Sequence, residues 1–247
     1  IITYNEEARI GECLDSLRDI ADEIIVIDSF STDATPAICE SRGCIVRKRK
    51  FSGFGAQRQY ATSLASHPYV LTIDADEVLS PALRQSLLKL KEEGFKHRVY
   101  EANRLNFYCG EPIRHCGWYP DRQVRLFDKR YANWNLRDVH ERVIFRDSIR
   151  PEPLDGDILH YRCETPERYH RTQQKHAGIR SHVISAQHDS ISALRPYLAG
   201  LHDWWDCYII QGGIFDGSEG RAISKERFLS TLTAFRLARR RLKRKQN

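Results

Sequence analysis

The sequence predicts an α/β protein built on a mostly parallel sheet with helices on both faces. Short continuous apolar runs recur through the first 95 residues, as in Ile1–Tyr4, Glu23–Asp28, Gly43–Arg47 and Tyr69–Asp74. The segments between them carry apolar residues at helical spacing. Strands buried on both faces read as continuous apolar runs, and their alternation with helices is the pattern of a parallel sheet. Three of the runs also end in polar clusters, and ligands in such sheets bind beyond the carboxyl ends of the strands.

Taken in order, Ile1–Tyr4 is a first strand and Asn5 caps a helix whose inner face is Ile10, Cys13, Leu14 and Leu17. The chain opens inside this apolar run without Met, so an earlier natural start is expected; the run itself reads as a strand and not as a signal core. Glu23–Asp28 is the second strand. A polar turn, Ser29–Asp33, leads into a helix ending near Arg42. Gly43–Arg47 is the third strand, residues 56–66 a helix, and Tyr69–Asp74 the fourth strand. Ser80-Pro81 opens the next helix, with a capping hydroxyl and a proline in its first turn. Residues 98–162 change character, with strand-like pieces at 98–103, 123–127, 139–145 and 157–161 among loops rich in Gly, Pro, Trp and Asn. They are expected to form the mixed edge of the same sheet. Thr165-Pro166-Glu167 starts a long helix, and the remainder is helical apart from a Gly-rich break at 211–220.

The chain has 247 residues, 41% hydrophobic and 29% charged. This is an ordinary globular balance and excludes collagen-like and disordered classes. Apolar runs of four or five residues, such as Ile24–Ile27, fall far short of the ~20 needed for a membrane-spanning helix. The net charge is +6, and seven basic residues between Arg236 and Lys245 account for it, leaving the rest near neutral. A basic tail of this kind attracts phosphate, in nucleic acid or anionic lipid. Seven cysteines without a CxxC pair predict reduced thiols in a cytosolic compartment, not a disulfide framework or structural zinc site.

The polar strand ends are Thr3-Tyr4-Asn5-Glu6-Glu7, Asp28-Ser29-Phe30-Ser31-Thr32-Asp33 and Asp74-Ala75-Asp76-Glu77. Neither a GxGxxG turn nor a GxxxxGK[ST] loop is present, so a glycine-rich backbone cradle for phosphate is not expected. Asp74-Ala75-Asp76 offers another solution. Two carboxylates spaced i, i+2 past a strand end can hold a hard divalent cation, and the cation can hold a diphosphate.

These three clusters, in this order and spacing, resemble the N-terminal signatures of family 2 glycosyltransferases. Gly117-Trp118-Tyr119-Pro120-Asp121-Arg122-Gln123-Val124-Arg125-Leu126-Phe127, Val139-His140-Glu141 and Gly156-Asp157-Ile158-Leu159-His160-Tyr161 narrow the likeness. They resemble the bacterial lipopolysaccharide core β-1,4-glucosyltransferase branch. The likeness covers residues 1–161 and continues more loosely through Gly212-Gly213-Ile214-Phe215-Asp216-Gly217.

The resemblance implies a GT-A fold and inverting transfer of a sugar, glucose in that branch, from a nucleotide-diphospho-sugar such as UDP-glucose. The acceptor it implies is a lipopolysaccharide core or related lipid-linked glycan, with Mg²⁺ or Mn²⁺ as cofactor. Asp76 would hold the metal, with His160 completing its shell, and Asp74 would lie nearer the ribose. Thr3, Tyr4, Glu6 and Asp28 would frame base and ribose, and Gln57 and Arg58 would contact nucleotide or phosphate. Inversion in one displacement needs a general base on the face of the sugar opposite the leaving group. Asp121 is the first choice and Glu141 its rival, because Pro120 stands where relatives carry the first acid of an acidic pair. Trp118, Tyr119 and Trp134 fall near the acceptor side. His140 is a lesser metal candidate.

The expected organisation is a GT-A catalytic domain over 1–164, with a nucleotide-sugar half to about 95 and an acceptor half over 96–164, followed by a helical extension over 165–247. Phe228, Leu232, Phe235 and Leu242, with basic residues between and after, suggest an amphipathic helix at an anionic membrane surface. Trp204, Trp205 and Tyr208 add residues favoured at interfaces. The implied location is cytoplasmic and peripheral, at the inner face of a bacterial inner membrane. Two other readings remain open: a sugar nucleotidyltransferase, disfavoured because Asn5-Glu6-Glu7 replaces the Gly-rich basic segment that class needs, and a nucleic-acid-binding module driven by the tail.

Overall fold

The computed structural model describes residues 1–136, 141–146 and 148–246, with the side chains of Arg162, Lys245 and Gln246 set aside. It divides into two compact units, Ile1–Arg104 with Asp121–His160, and Leu105–Pro120 with Tyr161–Asn247.

The first unit opens with strand β1 (Ile2–Thr3), helix α1 (Ile10–Ser16), β2 (Ile25–Asp28), α2 (Thr35–Ser41) and β3 (Ile45–Lys48). β1, β2 and β3 form a parallel sheet in that order, with Thr3 in register with Asp28. Ile10, Leu14, Val26 and Cys39 close a core between this sheet and its helices. Asn5 does not cap α1, which starts five residues later. It takes a left-handed conformation with φ 56°, and its side-chain carbonyl accepts from the Thr32 amide at 2.8 Å. Asn tolerates that backbone region because its short amide can bond locally. The residue therefore ties the turn after β1 to the turn after β2.

Helix α3 (Phe54–Leu64) and strand β4 (Tyr69–Leu71) follow. The fourth apolar run does not extend the parallel sheet. β4 pairs antiparallel with β8 (Arg122–Asp128), placing Tyr69 opposite Asp128. Among the described residues, β4, β8, β6 (Val99–Tyr108), β11 (Glu152–Cys163) and β5 (Glu77–Leu79) neighbour one another in that order, in a second sheet separate from the first. β7 (Glu111–Pro112) pairs with β6, and β9 (Ala132–Trp134) with β10 (Val143–Phe145). An apolar run says that a strand is buried on both faces, not which partner it takes, and the direction of β4 was not readable from it.

Strand β5 starts immediately after Asp76, where the sequence pattern shows only a polar turn before a helix. It leads into α4 (Pro81–Glu93), whose first turn is capped as expected: the Ser80 hydroxyl accepts from the Leu83 amide at 3.2 Å. The same hydroxyl accepts from the Asp157 amide at 2.9 Å. Gly156 precedes it with φ +97°, and a Cβ there would run into the Leu83 backbone. Glycine thus lets β11 approach the start of α4 closely. The resulting antiparallel register sets His160 opposite Glu77.

The second unit contains α5 (Pro166–Gln187), α6 (Arg195–Trp205) and α7 (Gly217–Gln246). Thr165 caps α5, its hydroxyl accepting from the Arg168 amide at 3.2 Å. A π-turn (Asp206–Ile210) and a 3₁₀ turn (Gly213–Asp216) fill the Gly-rich break before α7. The apolar positions of α7 are spent inside this bundle. Leu232 and Leu242 are buried, Phe235 packs with Ile191 and Ala238, and Phe228 lies against Gly200. They do not form the lipid-facing stripe expected of them, because α5 and α6 cover that side. All seven cysteines are free thiols. Among the described residues, no helix is long and apolar enough to cross a membrane.

Candidate active site

The candidate nucleotide, metal and base residues lie in the first unit, whereas Trp118 and Tyr119 lie in the second. Thr3 ends β1 and is buried, while Tyr4 beyond it is exposed. The turns after β1 and β2 are stitched by backbone-to-side-chain bonds: Asn5 N–H to Ser31 Oγ at 2.9 Å, Glu6 N–H to Thr35 Oγ1 at 2.8 Å, and Glu7 N–H to Asp33 Oδ2 at 3.1 Å. Asp28 ends β2 fully buried, and its carboxylate accepts from both the amide and hydroxyl of Ser31. A buried carboxylate needs such donors to be tolerated. Gln57, fully buried on α3, donates to Ser29 Oγ at 3.2 Å and to the Arg49 carbonyl at 3.3 Å. Two buried atoms in this group, Thr3 Oγ1 and Gln57 Oε1, have no hydrogen-bond partner within the protein.

Arg58, one residue further along α3, points into the acidic cluster. It donates to Asp74 Oδ1 at 2.6 Å and to Glu141 Oε1 at 2.7 Å. Its guanidinium lies 4.7 Å from the centre of the Trp134 ring. Trp134 is buried, so this ring is a floor for Arg58 and not a sugar platform. Within the second unit, the Trp118 ring lies 5.8 Å from that of Tyr169.

The centre of the cluster is a buried chain of ion pairs. Arg125 donates to Asp74 Oδ2 at 3.2 Å and to Glu77 Oε1 at 2.7 Å. Glu77 is fully buried, and its other oxygen accepts from the Asp74 amide at 2.9 Å. Arg104 lies 3.7 Å from Glu77 and 2.8 Å from Asp121. Gln123 donates to the second oxygen of Asp121 at 2.6 Å. Asp121 is therefore oriented at both carboxylate oxygens. Burial alone would raise the Asp74 carboxyl, but Arg125 and Arg58 more than offset it and hold it well below the usual range. Glu77 shifts the other way: burial pushes its carboxyl up, and Arg125 offsets only part of this.

Asp76 and His160 form the remaining pair, with Nε2 3.4 Å from Asp76 Oδ2. The β5–β11 register explains the meeting, since Asp76 directly precedes the residue that His160 faces. One carboxylate and one imidazole fit a divalent cation that keeps water ligands and also takes diphosphate oxygens. Asp74 does not join that donor set, because both its oxygens are held by arginines. Among the described residues, no group of three metal-binding side chains is assembled. His140 lies outside the described residues.

Residues 1–151 match the family model described as Glycosyl transferase family 2. The chain belongs to glycosyl transferase family 2. Its α/β fold is of the GT-A type, and it is a glycosyltransferase, which sets aside the nucleotidyltransferase and nucleic-acid readings. An uncharacterized glycosyltransferase of Rickettsia typhi is 28% identical over 221 residues, covering 83% of this chain and 73% of that protein. The lipopolysaccharide core biosynthesis glycosyltransferase LpsC of Rhizobium meliloti is 32% identical over 173 residues, covering 66% of this chain and 62% of that protein. Glucosyl-3-phosphoglycerate synthase of Mycobacterium tuberculosis, solved with Mn²⁺ and UDP-glucose, is 28% identical with a TM-score of 0.34; the likeness covers 44% of this chain and 42% of that one.

Arg104, Arg125 and Glu77 form the frame of the site, a role that no motif in the sequence points to. Glu77 opens a short strand that is otherwise apolar, whereas Arg125 sits in a strand that also carries Arg122, Gln123 and Asp128 and so does not stand out. Arg104 carried no comparable signal.

Proposed function

We propose that the chain transfers glucose, with inversion, from UDP-glucose to a lipopolysaccharide core or related lipid-linked glycan at the cytoplasmic face of a bacterial inner membrane. The observation that carries the reading is the Asp76–His160 pair beside an Asp74 fixed by two arginines, in a family 2 chain. LpsC, with its role in lipopolysaccharide core biosynthesis, supports the acceptor class.

In this reading Asp28, Gln57, Glu6 and the Thr3–Tyr4 backbone frame the uridine. The unpartnered Thr3 Oγ1 and Gln57 Oε1 would gain bonds from it, since buried polar groups are normally satisfied. Arg58 would face the diphosphate from the floor of Trp134, and Asp74 would be held ionised near the ribose. Asp76 and His160 would hold Mg²⁺ or Mn²⁺, which when bound acts as a Lewis acid for the departing diphosphate. The acceptor hydroxyl oxygen attacks the anomeric carbon from the face opposite the diphosphate. The bond from that carbon to the β-phosphate oxygen breaks, and the hydroxyl proton passes to Asp121. Arg104 and Gln123 hold Asp121 in place for this transfer. Glu141 is bound to Arg58 and is the second candidate for the base.

A donor screen tests the reading. Nucleoside diphosphate release across common nucleotide sugars, with Mg²⁺, with Mn²⁺ and with chelator, should select a UDP-sugar and require metal. Metal-independent turnover, or preference for a donor other than a UDP-sugar, would reject it.

A further inference from the structure

Helix α6 is packed inside out. Leu194, Leu198, Leu201 and Trp205 recur at i, i+4, i+7 and i+11, so they share one side of the helix. That side faces solvent, with Leu194 70%, Leu198 65%, Leu201 55% and Trp205 54% exposed. The stripe continues through Ile209 and Ile210 of the π-turn onto Ile214 and Phe215, the last being 78% exposed. The side of α6 that meets α7 carries small and polar residues. Gly200 meets Phe228, where a methyl would come within 2.9 Å of the ring. Asp203 accepts from the Thr231 hydroxyl at 2.6 Å, and the Cys207 thiol is buried beside Ser224.

Charge is sorted in the same way. The acids between residues 194 and 216 are Asp203, Asp206 and Asp216. Asp203 is held by Thr231 and by Arg180 at 3.7 Å, Asp206 by Gln211 at 2.6 Å, and Asp216 by the His115 ring at 2.8 Å. The cations are left outward. Arg195 is exposed at the start of α6. Arg236 is exposed on α7, bonded to the Tyr197 hydroxyl at 2.7 Å, which brings the basic end of α7 alongside the start of α6. Arg240, Lys243 and Arg244 continue exposed beyond it.

We propose that this face, Leu194 to Phe215 with the basic end of α7 beside it, docks on an anionic phospholipid surface. A contiguous apolar stripe on a protein surface marks an interaction site. Leucines and isoleucines flanked by Tyr197, Trp205 and a cluster of cations match the interface of a bilayer with acidic headgroups. The cations meet lipid phosphates while the stripe enters the boundary of the acyl chains. The helix that contacts lipid is α6, and α7 supplies charge. The glycolipid acceptor proposed above gives such docking a purpose. The docking itself is read without donor or acceptor, so it can fail independently of that reading.

Co-sedimentation of the full chain with vesicles of phosphatidylethanolamine and phosphatidylglycerol tests the proposal, with phosphatidylcholine vesicles as the neutral comparison. The wild type should bind the anionic vesicles, more weakly as salt rises but not to zero. Leu198→Glu with Leu201→Glu, and separately Phe215→Glu, should reduce binding by tenfold or more. Arg240→Gln with Lys243→Gln should reduce it a few-fold and flatten the salt dependence. These side chains are exposed, so circular dichroism and melting should match the wild type. Vesicle-induced blue-shift of tryptophan emission should diminish in Trp205→Phe. Unchanged binding by the glutamate variants, or absence of wild-type binding, would overturn the proposal. So would self-association of the wild type that the same variants abolish without any vesicle binding, which makes the stripe a contact between copies.

Discussion

The Arg58 guanidinium donates to Asp74 Oδ1 at 2.6 Å while its other nitrogen reaches Glu141 at 2.7 Å. One side chain from α3 thus joins the carboxylate after β4 to one of the two candidate bases. Its orientation is fixed by three partners, counting the Trp134 ring beneath it. Arginine suits this position because its planar fork can bind two carboxylates and stack on an aromatic ring together. Arg58→Lys keeps the charge and loses the fork. UDP affinity in the presence of Mn²⁺, measured by calorimetry, should fall about tenfold or more, equivalent to at least ~1.4 kcal/mol. Arg58→Ala should show the same loss and also lower the melting temperature, because Asp74 and Glu141 each lose a charged hydrogen bond, worth about 1.5–3 kcal/mol.

Asp76 is partly exposed and paired with His160, whereas both carboxylate oxygens of Asp74 are held by arginines. Removing Asp76 leaves the internal ion-pair chain intact. Asp76→Ala should therefore fold and melt like the wild type, while the gain in UDP affinity on adding Mn²⁺ disappears. His160→Ala should reduce that gain only in part, since an imidazole is replaceable by water at a cation that retains several waters. Equal metal-dependent UDP binding in wild type and Asp76→Ala would remove the metal role.

Much of this site was readable before the fold was known, and the reason is local. A carboxylate just past an apolar strand, as in Ile27-Asp28 and Ile73-Asp74, has little to do but cap, pair or bind. The pairings themselves were not readable. Arg104 and Asp121 are 17 residues apart and Arg125 and Glu77 are 48 apart, and only the second sheet brings them together. The same holds for α6. Its leucine stripe has the spacing of an inward face, and nothing in the local pattern says that Gly200 and Asp203 face α7 instead. Burial of the apolar face of α7 is not legible either, for the related reason that an amphipathic pattern specifies an apolar face without naming what covers it.

Outside the site, Asp128 ends β8 with a fork of donors from Arg130: the amide at 3.0 Å, Nε at 2.9 Å and Nη2 at 2.6 Å. The Arg130 side-chain bond holds the Asp128 carboxyl below its usual value, against the opposing pull of burial. A carboxyl whose folded pKa is depressed stabilises the fold above its unfolded pKa. That stabilisation is lost as pH falls through the depressed folded value. Asp128→Asn should cost about 1.5–3 kcal/mol at pH 7, the scale of hydrogen bonds to a charged group. The difference from wild type should shrink as pH falls below the usual carboxylate range of about 4. Urea denaturation at pH 7 and at pH 3 measures it, and a gap that widens on acidification would contradict the assigned sign.

Asp121 and Glu141 compete for the role of base, and their surroundings separate them. Asp121 is oriented by Arg104 at 2.8 Å and Gln123 at 2.6 Å, and neither partner touches Asp74. Glu141 accepts from Arg58, the same group that holds Asp74. Loss of Asp121 should therefore leave the Asp74 side of the site undisturbed, whereas loss of Glu141 should loosen Arg58. Asp121→Asn preserves shape and can still accept from Arg104. It should bind UDP and Mn²⁺ as the wild type does and lower kcat by roughly 10²–10⁴-fold, the scale of a lost general base. The surviving activity should also lose the acidic limb of the kcat–pH profile. Glu141→Gln should weaken donor binding, raising KM with a smaller change in kcat. Single-turnover kinetics with saturating donor separates the two cases. Normal turnover in Asp121→Asn together with a collapse in Glu141→Gln would transfer the role to Glu141 and leave Asp121 as a positioning partner of Arg104.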